Sequence, residues 1–156
     1  MKLEKTFVMV KPDGLQRGLV GEVISRLERK NLKLVGIKMI FFNDKLLEEH
    51  YSHLKDKPFF PRIRKFMTST PLVAMVWEGT ESVKVVREMA GVTKARDAAP
   101  GTIRGDLALS IQCNVVHASD SVETAGKEVE RFFKKSELFE WKPALLENQY
   151  SGEELE

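Results

Sequence analysis

The segments Thr6–Lys11 and Pro71–Trp77 constrain the fold most. Apart from Thr6 and the closing Lys11, both are apolar at odd and even positions alike, which reads as strand buried inside a sheet. The first runs into Lys11-Pro12-Asp13-Gly14, where proline lacks the N–H that a ladder needs, so Lys11 sits at a strand's end. Helical spacing separates such runs. From Leu19 to Lys30, Val20, Val23, Ile24 and Leu27 recur on one side with charges opposite, and Asn31 suits a left-handed cap. Residues 34–41 alternate Val35, Ile37, Met39 and Phe41 with Leu34, Gly36, Lys38 and Ile40, which predicts a strand with one wholly apolar face. Asn43-Asp44 caps a short helix toward Tyr51, and a second helical stretch near Phe59–Met67 makes the pair a candidate mobile lobe. Thr80 is the expected cap of a helix with Val83, Val86 and Met89 inward, closed by Gly91. Asn114–His117 is the fourth strand. Ser119-Asp120 then cap a helix with Val122, Ala125, Val129, Phe132 and Phe133 inward, Glu123 completing a capping box with Asp120. This order predicts the α/β (α+β) class as a ferredoxin-like sandwich, a four-stranded antiparallel sheet with helices packed on it.

Composition narrows the setting. At 156 residues the chain suffices for one domain, residues 1–156, that buries about 68–70% of its unfolded surface without a staple. The segment from about residue 136 is mixed and ends in Glu153, Glu154 and Glu156, as expected of a tail packed on the body or on a neighbouring subunit. Cys113 is the single cysteine, and the first ten residues carry Lys2, Glu4 and Lys5 around a brief apolar run unlike a signal peptide. The expected location is cytoplasmic. Pro71–Trp77 is the longest uncharged apolar run, far short of the ~20 residues of a membrane-spanning helix, so no membrane partner is expected. A net charge of +2 gives no broad polyelectrolyte signal, so no specific nucleic acid is expected, and phosphate binding must come from local cations.

The chemistry-bearing positions gather at element ends. NVVHASDS, residues 114–121, delivers His117 to a strand-to-helix junction, where unpaired backbone N–H groups favour an anion beside the imidazole. His117 is thus either a nucleophile toward phosphate or a strand-end histidine that satisfies its own hydrogen bonds. Val92–Cys113 shows no sustained period; loops longer than ~12–15 residues are uncommon and often functional, so it is expected to carry binding groups. Lys11, Arg87 and Arg104, with Thr93 and Asn114 as neutral donors, form the set that phosphate recognition needs if they converge, and are solvated surface charges if they do not. No GxxxxGK[ST] loop, GxGxxG turn or HRD/DFG set is present, which argues against P-loop and protein-kinase folds. His50 and His53 near Asp56 give only a weak metal signal, and Ser119 with Asp120 reads as helix caps rather than as triad partners of His117. Phe59 and Phe60 among Lys55, Lys57, Arg62, Arg64 and Lys65 suit either a stacked base or a charged face over buried aromatics.

TFVMVKPDG at 6–14, the run Gly18–Lys30, HY at 50–51, PFF at 58–60, PGTIRGD at 100–106 and NVVHASDS together resemble the nucleoside diphosphate kinase family, collinearly from about Lys5 to Phe133. The resemblance implies a ping-pong enzyme. A nucleoside triphosphate such as ATP gives its terminal phosphoryl group to His117, and a nucleoside diphosphate takes it back, maintaining nucleoside triphosphate pools. It implies that Lys11 contacts the sugar hydroxyl and moving phosphate, that Tyr51 borders the histidine pocket, and that Arg87, Thr93 and Arg104 hold phosphates. Phe59 stacks on the base with Ile111 on the other face, Asn114 bonds the sugar, and Glu128 orients His117 with Ser119 in support. Mg²⁺ arrives bridging the nucleotide phosphates, with no protein side chain as its ligand. The implied assembly is a homohexamer, with a tetramer as the alternative.

Three positions depart from the family pattern: Ala118 stands where glycine is usual, Lys57 where many relatives have arginine, and Ala95 where proline is common in the long loop. Were positive φ required at Ala118, the substitution would cost about 1 kcal/mol and tilt His117. Two other functions fit the same scaffold: a non-catalytic ferredoxin-like module binding a nucleotide, RNA or a protein, and a phosphatase in which water intercepts the phosphohistidine. A binder needs the cations but not the nucleophile.

Overall fold

The computed structural model describes residues 3–155, excluding the Leu155 side chain; Met1, Lys2 and Glu156, which entered the readings of the two termini, lie outside them. The strands are β1 (Leu3–Val10), β2 (Lys33–Ile40), β3 (Leu72–Thr80) and β4 (Val116–Ala118). The helices are α1 (Pro12–Gln16), α2 (Val20–Arg29), α3 (Asp44–His50), α4 (Phe60–Met67), α5 (Ser82–Ala90), α6 (Ile103–Leu107), α7 (Val122–Phe132) and α8 (Gly152–Leu155). The strands form one sheet in the order β2-β3-β1-β4, with every neighbouring pair antiparallel. This is the expected ferredoxin-like arrangement.

Both central strands are buried on both faces, which is why β1 and β3 lack alternation. Val8, Val10, Met75 and Trp77 pack with Val23 and Leu27 of α2 and Val86 and Ala90 of α5. Phe7, Met9, Ala74 and Val76 pack on the opposite side with Val129 and Phe132 of α7, Leu47 of α3 and Met67 of α4. The β2 edge differs from its expectation. A bulge between Leu34 and Gly36 breaks its parity, and Ile37, Met39 and Phe41 are exposed. The freed Val35 carbonyl accepts from the Phe139 N–H (2.8 Å), and the Trp141 indole N–H donates to the Leu34 carbonyl (3.0 Å), drawing the carboxy-terminal segment against the bulge.

Local signals account for most boundaries. Asn31 adopts φ 64° after α2, and the Asn43 side chain accepts from the Leu46 N–H (2.8 Å) at the start of α3. Two caps are corrected. Thr80 continues β3, and Glu81 at φ 50° is the N-cap of α5, while the Glu4 carboxylate of β1 accepts the Val83 N–H (3.0 Å). Ser121, not Ser119 or Asp120, caps α7 by accepting the Thr124 N–H (3.1 Å). The one-turn α1 goes beyond the strand end that Lys11-Pro12 marks in the sequence; Pro12 sits in its first turn, where proline's missing N–H is not needed. β4 is shorter than expected and starts at Val116, leaving Asn114 outside it. Ala118 pairs with Val8 and is absent from the positive-φ residues, so its methyl strains nothing; the positive φ falls instead at Val115. Lys57 is exposed, and Ala95 is buried in a short 3₁₀ turn, Ala95–Asp97.

Candidate active site

β4 pairs His117 with Met9 of β1, and α7 packs across the same strand, which brings Glu128 to the imidazole. His117 Nε2 lies 2.7 Å from Glu128 Oε1. The other carboxylate oxygen accepts from the Ser119 hydroxyl at 2.5 Å, and the Ser119 oxygen accepts the Phe7 N–H at 3.2 Å. Ser119 and Glu128 are both buried, so Ser119 supports the carboxylate from behind instead of capping a helix. A carboxylate only accepts, which places the His117 proton on Nε2 and leaves the Nδ1 lone pair free for chemistry.

His50, at the end of α3, packs edge-on to His117 with ring centroids 4.8 Å apart. Arg131 Nη1 lies 3.2 Å from His50 Nδ1; because a guanidinium only donates, His50 carries its proton on Nε2. Burial, reinforced by His117, Arg131 and His53, lowers its pKa to about 2. His50 is therefore neutral, and its 3.8 Å approach to Glu128 is not an ion pair. The donor atoms of His50, His117 and Glu128 lie within 4.8 Å of one another. The Arg131 guanidinium on the His50 lone pair works against a cation in that cluster. His53, the expected companion of His50, is exposed. Burial and the neighbouring Glu128 push the Tyr51 phenol up, keeping it protonated.

A cleft of about 440 Å³ opens over this group. It is lined by Lys11, Tyr51, Arg87, Thr93, Arg104, Ile111, Asn114, His117 and Glu128 of the residues selected from sequence. Lys11 Nζ donates to Asn114 Oδ1 (2.8 Å) and the Gln112 carbonyl (2.5 Å), and the Asn114 amide donates to the carbonyls of Thr93 (2.9 Å) and Ile111 (3.0 Å). Burial lowers the Lys11 pKa to about 8, against the raising influence of Asp13 and with a smaller lowering by Arg104. Arg104 is buried at 3% exposure and donates to the carbonyls of Gly91 (2.6 Å), Val116 (2.7 Å) and Asn114 (3.4 Å), tying the long loop to β4. Its pKa falls to about 10 through burial and the nearby Arg87. Arg87, in the last turn of α5, reaches the Ala118 carbonyl at 3.5 Å.

Phe59 is not part of the lining; it stands at the N-cap of α4, partly exposed. Sequence reading missed Thr124, Lys127 and Arg131, which line the cleft from α7. Spacing was the available signal, since residues three or four apart share a helical face: Thr124 and Arg131 lie four before and three after Glu128, and Lys127 lies three after Thr124 and four before Arg131. Five cationic side chains, Lys11, Arg87, Arg104, Lys127 and Arg131, face three acidic ones, Glu49, Asp120 and Glu128. Glu49 and Arg131 pair with each other, Lys127 pairs with Glu123 outside the lining, and Glu128 is committed to His117 and Ser119, which leaves Lys11, Arg87 and Arg104 against Asp120. What remains is a basic cleft with an oriented imidazole at its floor.

A ferredoxin-like sheet that carries a carboxylate-anchored histidine into a cation-rich cleft defines an α+β protein equipped for anionic, phosphate-bearing ligands. Comparison with known proteins sharpens that class. The family model described as nucleoside diphosphate kinase matches residues 4–138. The chain is 51% identical to a nucleoside diphosphate kinase of Parabacteroides distasonis over 97% of this chain and 99% of that one. It is 54% identical to one of Pyrococcus horikoshii, over 88% and 90% respectively. Among solved structures, a halophilic nucleoside diphosphate kinase from Halobacterium salinarum in complex with CDP superposes with a TM-score of 0.93 at 45% identity, covering 96% of this chain and all of that one. The chain belongs to the nucleoside diphosphate kinase family.

Proposed function

We propose that this protein moves the terminal phosphoryl group of a nucleoside triphosphate to a nucleoside diphosphate through a covalent intermediate on His117 Nδ1. The observation that carries the reading is the Glu128 contact to Nε2 (2.7 Å), which leaves Nδ1 as the nucleophilic nitrogen. In the first half-reaction the Nδ1 lone pair forms a bond to the terminal phosphorus, the bond to the bridging oxygen breaks, and the nucleoside diphosphate leaves. The ring acquires positive charge as that bond forms, and Glu128, braced by Ser119, stabilises it. In the second half-reaction the terminal oxygen of another diphosphate attacks, and the histidine is regenerated with no net proton change.

Lys11, Arg87, Arg104 and Thr93 hold the phosphates, and Asn114 holds the sugar beside Lys11, to which it is already bonded. Tyr51 closes the histidine pocket as a neutral phenol. Ile111, exposed on the long loop, and Phe59, outside the lining, supply apolar faces for a base, which makes the base identity nearly immaterial. The cleft carboxylates are already engaged, Glu128 by His117 and Ser119, Glu49 by Arg131 and Asp120 by the Thr124 and Ser121 hydroxyls, which fits Mg²⁺ that would enter on the nucleotide phosphates with no protein side chain as its ligand. When bound, Mg²⁺ supplies charge neutralisation on the phosphates.

The same reading makes the protein a cytoplasmic homohexamer, with a tetramer as the alternative assembly. Among the described residues, no helix is long and apolar enough to cross a membrane. The exposed Ile37 and Met39 on edge strand β2, with Phe41 just beyond its end, supply an apolar face for a second copy of the chain. Light scattering that returns a monomer mass would reject the assembly without touching the chemistry.

The test of the chemistry is labelling with γ-labelled ATP and Mg²⁺ followed by a GDP chase, in wild type and His117→Ala. Acid-labile label on the wild type alone, passing to GDP, supports the relay. Label that is lost only to water indicates a phosphatase, absence of label a binding module, and label on the variant a different nucleophile.

A further inference from the structure

The backbone just ahead of His117 holds a conformation that its residue type disfavours. Val115 is buried, β-branched and at φ 71°, in the left-handed region that valine rarely enters. The Val116 N–H donates to the Asn114 carbonyl at 2.8 Å, closing a three-residue γ-turn of the positive-φ kind, the rarer and more strained of the two forms. The turn lies between Asn114 and His117, and the strand that follows has only three residues, too short a ladder to set its own position. Something else must hold it.

The segment after β1 does so. Asp13 Oδ2 accepts the Val115 N–H at 2.9 Å, and the Lys11 N–H donates to the Val115 carbonyl at 2.8 Å, so both polar groups of the strained residue are held by one short stretch of chain. Gly14 gives the room. A Cβ there would lie 3.0 Å from the Val115 carbonyl oxygen and 2.7 Å from Val10 Cγ1. The same stretch supplies Lys11, whose ammonium bonds Asn114 at the other end of the turn. Among the described residues, the Val115 N–H is the partner of the Asp13 carboxylate, and its second oxygen is buried without a partner.

We infer that Asp13 is a positioning residue for phosphoryl transfer: by clamping Val115 in the left-handed conformation, it sets the distance and orientation of His117 relative to Lys11 and Asn114. Strain that persists at a functional site needs surroundings that over-determine it, and here those are Asp13 and the Lys11 amide. The inference rests on the phosphohistidine reading above and deepens it. It predicts that Asp13 acts on the rate of the chemical step more than on nucleotide binding, because misplacing a reacting atom by about 1 Å can cost ~10²-fold.

The experiment is rapid-quench measurement of His117 phosphorylation by Mg²⁺–ATP, giving the rate at saturation and the apparent nucleotide affinity. Wild type, Asp13→Ala, Asp13→Asn, Val115→Gly and Asp13→Ala/Val115→Gly are compared. Asp13→Ala is expected to slow the saturated rate by about 10- to 100-fold with little change in affinity. Asp13→Asn, whose amide oxygen still accepts the Val115 N–H, is expected to recover most of that rate. Glycine tolerates positive φ unaided, so adding Asp13→Ala to Val115→Gly is expected to change the rate little. If Asp13→Ala does not fold, that last comparison decides alone: equal rates support the clamp, and a tenfold loss overturns it. An Asp13→Ala rate equal to wild type also overturns it. So does an Asp13→Asn loss as large as that of Asp13→Ala, which would assign the effect to the carboxylate's charge on Lys11. A wild type that takes no label on His117 rejects the phosphohistidine reading itself.

Discussion

Replacing Glu128 by glutamine tests the orientation of the nucleophile at constant shape. The carboxylate is buried with one oxygen on His117 Nε2 (2.7 Å) and the other on the Ser119 hydroxyl (2.5 Å). Glutamine keeps one accepting oxygen and gains an NH₂ that must face the other partner. Ser119 can receive it, since its hydroxyl can turn to the Phe7 carbonyl at 3.4 Å and leave its oxygen to accept. The amide oxygen therefore stays on the imidazole, and the tautomer is kept while the charge is lost. A hydrogen bond to a charged group contributes about 1.5–3 kcal/mol against about 1 for a neutral pair, so about 0.5–2 kcal/mol of transition-state stabilisation disappears. That is a loss of about 2- to 30-fold in the phosphorylation rate. Removing the receiver as well, in Glu128→Gln/Ser119→Ala, frees the amide to flip and force the proton onto Nδ1, and a wrong-tautomer imidazole loses of order 10⁴-fold. Single-turnover quench with γ-labelled ATP measures both rates, with circular dichroism confirming the fold. A Glu128→Gln rate equal to wild type, or no added loss in the double variant, would refute the argument.

Lys11 makes activity and stability diverge with pH. Its pKa is about 8 when folded against an ordinary 10.5, so the unfolded chain binds more protons between those values, and this group's contribution to stability rises with pH across the window. Phosphate binding instead weakens above about pH 8 as the charge is lost, so kcat/KM should fall there, and Lys11→Arg should remove that limb whatever it does to the plateau. His50, with a folded pKa of about 2 against 6.5, withdraws stability as pH falls below 6.5, and His50→Gln should flatten the acid side of a denaturation-versus-pH curve. An unchanged slope would place that sensitivity elsewhere. Gly105→Ala puts a Cβ 2.0 Å from the Ala99 carbonyl oxygen, so the loop must move. We expect a loss of at least about 1–3 kcal/mol, a drop of several degrees in Tm, and weakened nucleotide binding through the adjacent Arg104.

The elements most legible in sequence were those whose signal lies within a few residues. The two unalternating strands, the Leu19–Lys30 periodicity and the Asn43 cap all stand in the structure within a few residues of their reading. The misread features take their physical cause from far along the chain. Thr80 looked like a cap because nothing nearby shows that Glu4, 79 residues from Val83, satisfies that helix's amide. Ser119 looked like a cap until α7 brought Glu128 back to it. The alternation expected in β2 was broken by a bulge whose freed Val35 carbonyl is taken by the carboxy-terminal segment. α1, at five residues, is too short to show a period.

What the sequence determined by itself was the set of elements, their order, and a family pattern strong enough to nominate the cleft residues, because apolar period and motif spacing are written locally. The tertiary structure decided convergence. Lys11 meets Asn114 103 residues away, and Asp13 holds Val115 102 residues away. Arg104 is spent largely on backbone carbonyls, and Phe59 stands outside the lining. The tautomers of His117 and His50 follow from partners on α7 that spacing alone does not assign. The physical reason is that a side chain's protonation and strain depend on what surrounds it in space, and packing β1 between α5 and α7 is what creates those surroundings.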